Sequence, residues 1–177
     1  MKYYEALGLE PRLALDPADL QKRFYERSRQ WHPDRFTRAS EMERQQALEM
    51  TALLNDAFRT LKQPVPRAEY FLSERGIQLS KEAPPELLEE VFELNMALEE
   101  MRGGDESARP QLDSARARFA GMQAQIDAGL VDLFARHDAQ GERATLDEIL
   151  GSLNRRRYIS NLLRDVVALT SDALTNH

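Results

Sequence analysis

The sequence contains no cysteine, which removes disulfides and every thiolate metal site. Histidine is scarce, and His32, His137 and His177 have no spacing that suggests a cluster, so neither a bound metal nor a cofactor is expected. Long apolar runs are also missing: a helix crossing a bilayer needs about 20 apolar residues in succession, and the longest runs here are only a few. The opening Met1-Lys2-Tyr3-Tyr4-Glu5 lacks a signal-peptide core, which makes a cytoplasmic protein the expectation. Nothing alternates with period two for long enough to be a strand, and there is no internal repeat. Basic charge is in deficit, with 24 Lys and Arg against 30 Asp and Glu. That balance argues against nucleic acid, because phosphate binding needs concentrated Lys and Arg.

What is present suits one compact domain or two small ones, since 42% of the 177 residues are hydrophobic and can fill an ordinary core. Charge is unevenly spread: residues 1–76 are close to neutral, about +1, and residues 77–177 carry about −7. Two halves of different charge suggest two different partners.

Along the chain, Tyr3, Tyr4 and Leu7 form a short apolar segment closed by Gly8, which reads as a brief helix. Asp16 caps the next helix with Pro17 at its first position. On that helix Leu20, Phe24, Ser28 and Trp31 share one face and Trp31 reads as core, while Lys22 and Arg29 point the opposite way and Arg23 and Arg27 lie along a flank. Ser40 with Glu43 three residues on is a capping box for a helix running through Leu48, Leu54, Phe58 and Leu61 to a break at Pro64 and Pro66. Tyr70, Phe71 and Leu72 follow without an assigned helix. The Pro-containing stretch from Ser80 to Pro85 reads as a boundary, giving a domain over residues 1–76, a linker over 77–84 and a second domain over 85–177. The second domain reads as three helices, over about Pro85 to Met101, along a seam of Leu112, Ala115, Phe119, Met122, Ile126, Leu130 and Leu133, and from about Thr145. The last seam is Leu146, Leu150, Leu153, Leu163, Val167 and Leu174. The fold class is therefore all-α.

Between the two N-terminal helices lies Trp31-His32-Pro33-Asp34-Arg35. Proline disfavours helical geometry in the residue before it, so the turn should present His32 and Asp34 to solvent. Alone, the tripeptide fits a simple turn in which Asp34 caps the next helix. Its setting says more. The turn stands between a basic amphipathic helix and a helix carrying Leu54-Asn55-Asp56-Ala57-Phe58, behind Tyr3-Tyr4-Glu5-Ala6-Leu7-Gly8-Leu9. That order resembles the J-domain of DnaJ-type co-chaperones. The resemblance implies a helical hairpin that docks on an ATP-hydrolysing chaperone of the DnaK class and accelerates its hydrolysis. Asp34 would contact a basic group of that partner, His32 and Pro33 would hold the carboxylate, and Lys22, Arg23, Arg27 and Arg29 would steer an acidic surface. Without the adjoining turn, those four residues read as a solvated helix face.

A second feature follows the boundary. Leu87, Val91, Leu94, Leu98 and Met101 suffice as a core-facing stripe, yet Leu88, Phe92 and Met96 form another, bordered by Glu86, Glu89, Glu93 and Glu100. The surplus stripe is either extra core, which periodicity alone favours, or a binding surface with an acidic rim. On the last helix Tyr158, Leu162 and Val166 fall off the seam in the same manner. The run from Leu61-Lys62-Gln63-Pro64 through Arg67-Ala68-Glu69-Tyr70-Phe71-Leu72 to Gly76, then a Glu-rich helix and a long last helix, resembles the HscB-type iron-sulfur cluster co-chaperone family over nearly the whole chain. That resemblance implies a C-terminal three-helix bundle that binds the cluster scaffold IscU and brings it to an HscA-like chaperone. The scaffold contacts that the resemblance implies fall at Leu88, Phe92, Glu93, Met96, Glu100 and Tyr158, of which Phe92 and Tyr158 keep only the apolar or aromatic character of the family's pattern, while Met96, like the neighbouring Glu89, departs from it. Lacking thiolates, the chain would deliver the scaffold and not the iron.

Two rival readings remain. The bundle could take another client, such as unfolded chains. Alternatively, His32 and Asp34 could serve as acid and base of a small enzyme, which would require a concave pocket at the turn; no nucleophile-base pair or phosphate loop supports an enzyme.

Overall fold

The computed structural model describes residues 1–175, with side chains to residue 169. The described residues form seven α-helices, α1 Lys2–Leu7, α2 Pro17–Gln30, α3 Glu41–Leu61, α4 Pro64–Ser73, α5 Leu88–Arg102, α6 Arg109–Gln140 and α7 Arg143–Thr175, with 3₁₀ turns at Pro33–Phe36, Pro85–Leu87 and Glu106–Ala108. No strand occurs among them, as the all-α expectation requires, and none of the described helices is long and apolar enough to cross a membrane. The chain divides into two compact units: Met1–Gln78 with Phe134–Gly141, and Leu79–Leu133 with Glu142 onward.

Local chemistry sets the ends of the helices in the first unit. The Asp16 side chain accepts the Ala18 N–H, with Pro17 in the first turn, where a missing N–H costs nothing. Ser40 and Glu43 close the capping box in both directions, so two of the four unpaired donors at the start of α3 are satisfied. Tyr4, Leu7, Leu13, Leu20, Ala47, Leu54, Ala57, Leu61, Ala68, Phe71 and Leu72 are buried. Two expectations need correction here. Helix α3 does break before Pro64, but Pro64 and Pro66 also open a further helix, α4, where none was assigned, because both occupy its first turn, where the missing N–H has no intrahelical acceptor to lose. Trp31 is only half-buried, stacked on Phe36 with ring centroids 6.0 Å apart.

Residues 134–141 complete the first unit. Asp138 accepts the backbone N–H groups of Leu13 at 3.0 Å and Ala14 at 2.7 Å. The buried His137 ring meets Phe71 edge-on at 5.5 Å, and Arg67 lies over the Phe134 ring. Arg67 is itself buried and donates to the Leu61 carbonyl at 2.8 Å. Burial lowers its pKa, opposed by Tyr4 and Asp138, and burial likewise raises that of the Tyr4 phenol.

The second unit has its own core. Leu87, Val91, Leu94, Ala97, Leu98 and Met101 of the α5 region pack with Ala108, Leu112, Ala115 and Phe119 and with Ile159, Leu162 and Val166 of α7. The α5 and α6 seams lie where the heptad-like spacing puts them, but α7 is turned relative to its expected seam. Leu162 and Val166 are buried, whereas Val167 is 40% exposed; the Leu174 side chain lies outside the described residues. Each of the doublets Leu162-Leu163 and Val166-Val167 offers an apolar residue to either rotation, so periodicity could not choose between them. Arg156, from the basic run, turns inward to the Asp127 carboxylate of α6, and Arg155 faces Glu86 at 3.6 Å.

Candidate functional site

Two surfaces carry the residues singled out in the sequence, one in each unit. In the first, His32 is extended at φ −61° and ψ 130°, as a residue before proline must be, and starts the 3₁₀ turn Pro33–Phe36. The His32 Nδ1 accepts the Asp34 N–H at 3.3 Å. The Asp34 carboxylate stands 3.5 Å from that same nitrogen and its side chain is 87% exposed. A nitrogen that accepts the backbone N–H cannot also donate to the carboxylate, so in the neutral imidazole the ring orients the Asp34 backbone and leaves both carboxylate oxygens to solvent.

The corner is braced by residues that the sequence reading had not assigned to this role. Thr51 on α3 donates to the Trp31 carbonyl at 3.1 Å, Arg35 reaches the Arg29 carbonyl at 3.4 Å, and Phe36 supplies the ring that Trp31 stacks on. Phe36 directly follows the motif, but nothing local to the sequence marks Thr51. Around the turn the surface is a shallow groove lined by Tyr25, Ser28, Arg29, His32 and Arg35, which Asp34 does not line. His32 and Asp34 thus do not converge on an enclosed site of the kind an acid-base pair needs.

On α2, Lys22, Arg27 and Arg29 are exposed. Arg23 is not equivalent to them: it donates through Nη1 to the Gly8 carbonyl at 2.6 Å and through Nε to Asp19 at 2.8 Å. Its charge is partly committed within the fold.

In the second unit the surplus stripe is surface. Leu88 is 55%, Phe92 66% and Met96 52% exposed, and Glu89, Glu93 and Glu100 beside them are exposed as well. The extra-core alternative for this stripe is therefore excluded: the core is already filled by Leu87, Val91, Leu94, Leu98 and Met101. Exposed apolar side chains grouped on one helix and rimmed by carboxylates have the make-up of a protein-docking face. The companion stripe on α7 does not exist as such, because Leu162 and Val166 are core; Tyr158 alone stays half-buried, packed on the edge of the core cluster. Among the described residues no group of three or more His, Cys, Asp and Glu side chains could hold a metal ion.

A helical hairpin with an exposed His-Pro-Asp corner defines a J-domain protein, and residues 2–70 match the DnaJ domain family. Residues 83–167 match the family described as the HSCB C-terminal oligomerisation domain. Among similar sequences is a Co-chaperone protein HscB homolog of Shewanella baltica, 33% identical over 98% of this chain and 99% of the relative. One of Vibrio vulnificus is 32% identical over 94% of this chain and 95% of its own. Among solved structures, the chaperone HscB from Vibrio cholerae is 30% identical with a TM-score of 0.66, covering 98% of this chain and 99% of that one. Human co-chaperone protein HscB is 25% identical with a TM-score of 0.69, covering 95% and 81%. The chain belongs to the HscB co-chaperone family, whose J-domain places it as a partner of an Hsp70-type chaperone.

Proposed function

We propose that this chain couples an HscA-like chaperone of the DnaK class to the iron-sulfur scaffold IscU. The observation that carries the reading is the presence in one chain of a solvent-presented Asp34 carboxylate and a separate exposed stripe of Leu88, Phe92 and Met96. In this scheme residues 1–76 engage the chaperone, residues 77–84 link, and residues 85–177 carry the cargo, apart from the segment 134–141 that packs with the first unit. Asp34 makes a charge-assisted contact with a basic group of the chaperone, His32 and Pro33 hold it, and Lys22, Arg27 and Arg29 steer the encounter. Arg23 belongs to this set mainly by fixing α2. Leu88, Phe92 and Met96 cover apolar surface on the scaffold, Glu93 and Glu100 select basic residues around it, and Tyr158 adds a contact from α7. Binding both partners raises the effective concentration of scaffold at the chaperone. The chain performs no chemistry of its own; the bond broken is in ATP on the partner.

The test is a steady-state ATPase assay with chaperone and scaffold each omitted in turn. Asp34→Asn should lower the stimulation by at least ~10-fold, as expected for loss of a charge-assisted contact, while leaving scaffold affinity intact. Leu88→Ala with Phe92→Ala should do the reverse. Retained stimulation by Asp34→Asn would refute the chaperone assignment. If the chain instead binds a denatured protein and not the scaffold, the bundle serves another client.

A further inference from the structure

The second unit carries a recess between the segment Ser80 to Glu82 and the Asn154, Arg157, Tyr158 and Asn161 side chains of α7. Its hydrogen-bonding capacity is used unevenly. The Ser80 N–H donates to Asn154 Oδ1 at 2.8 Å, and Arg164 donates to Asn161 Oδ1 at 2.8 Å. Each carboxamide oxygen thus accepts one protein hydrogen bond, and neither NH₂ group has a protein acceptor among the described residues. The Ser80 hydroxyl accepts the Glu82 N–H at 3.1 Å, which folds the segment over the helix. Lys81 and Arg157 pair with no carboxylate among the described residues, unlike their neighbours Arg155 and Arg156. What the recess has left to offer is chiefly donors: an ammonium, a guanidinium, two amide NH₂ groups and a phenol O–H, against the carboxylate of Glu82 and the spare lone pairs of the amide and phenol oxygens. Such a set matches a ligand that only accepts, and a planar carboxylate is the group a guanidinium receives best.

The surroundings sharpen the choice. Residues 77–177 carry a net charge of about −7, and the α5 face is rimmed by Glu89, Glu93 and Glu100. An acidic side chain on an incoming protein is repelled along that face and finds its complement at the recess. Tyr158 lines the recess and is also one of the cargo-binding positions proposed above, which on that reading joins the recess to the cargo surface. We propose that the recess is a carboxylate-accepting subsite of the cargo surface, taking an Asp or Glu side chain of the docked scaffold. This deepens the scaffold-binding reading and rests on it. Two subsites of opposite sign fix which way round the scaffold binds, because the reversed orientation sets like charges together at both.

The experiment is calorimetric titration of the full chain with purified IscU scaffold. Lys81→Ala with Arg157→Ala should weaken binding ~10-fold, and Arg157→Glu further, with circular dichroism melting checking that the fold is kept. One Asp→Ala or Glu→Ala variant in a scan of the scaffold should lose its sensitivity to Arg157→Ala. If Leu88→Ala with Phe92→Ala weakens binding while the Lys81 and Arg157 variants do not, the subsite is refuted and the cargo reading stands. A wild-type chain that binds no scaffold overturns both. Weaker binding by the recess variants with no coupled acidic residue on the scaffold also refutes the subsite, since the loss would then be long-range charge alone.

Discussion

Arg23 donates through Nη1 to the carbonyl oxygen of Gly8 at 2.6 Å. One guanidinium thereby ties α2 to the left-handed cap of α1, where Gly8 has φ 65° and an added Cβ would meet the Arg27 guanidinium at 2.8 Å. Arg23→Ala should cost about 1 kcal/mol of stability, a figure already reduced for the partial exposure of the side chain. Lys22→Ala and Arg29→Ala should stay within about 0.5 kcal/mol yet weaken chaperone engagement. Thermal denaturation of the three variants checks this, and equal melting temperatures for all would place Arg23 back among the free steering charges.

The division between core and exposed apolar stripe in the second unit makes an opposite pair of expectations. Leu162→Ala removes a 6% exposed side chain from the core and should cost roughly 2–4 kcal/mol. Phe92→Ala removes a larger group that is 66% exposed and should change stability by less than about 0.5 kcal/mol. Urea unfolding of both variants decides; a large loss for Phe92→Ala would mean that the stripe supports the fold.

Asp138 satisfies two backbone donors at once. Asp138→Ala leaves the Leu13 N–H of the loop between α1 and α2 unpaired and hands that of the exposed Ala14 to water, at a cost of about 1–3 kcal/mol. Asp138→Asn should restore little, because its NH₂ turns a donor toward one of the two donors. Hydrogen exchange read by NMR should quicken at Leu13 and Ala14 in both variants, and unchanged exchange would contradict the arrangement.

The capping box carries a pH signature. Hydrogen bonds from Ser40, first the side-chain and then the backbone one, hold the Glu43 carboxyl below its ordinary value. A folded-state value below the unfolded one stabilises α3 above the ordinary glutamate range and loses that contribution as pH falls through the lowered value. Ser40→Ala should move the Glu43 titration upward in an NMR pH series. If it does not move, the depression has another cause.

The sequence exposed most where the determinants are local. Asp16, Pro17, Ser40 and Glu43 announce α2 and α3 because each acts within a turn of its own position, and the His-Pro-Asp corner follows from the geometry that Pro33 imposes on His32. Three things were hidden. Helix α4 begins on prolines that ordinarily mark an ending, and only its first-turn placement reconciles them with a helix. The rotation of α7 was undecided because apolar doublets serve either face, so tertiary packing chose. Arg23 and Gly8 are fifteen residues apart, and Asp138 lies 125 residues from Leu13; no window of local pattern spans such pairs.

The closing turns of α6 have a consequence for how the chain is made. Phe134, His137 and Asp138 belong with Met1–Gln78, yet α5 and most of α6 are synthesised before them. When the first 78 residues have left the ribosome, the hairpin can form, but Phe71 still lacks its His137 neighbour and the α1–α2 loop its carboxylate. The first unit therefore reaches its final packing only after translation has passed Gly141, by which time α5 and its exposed apolar stripe have already been made.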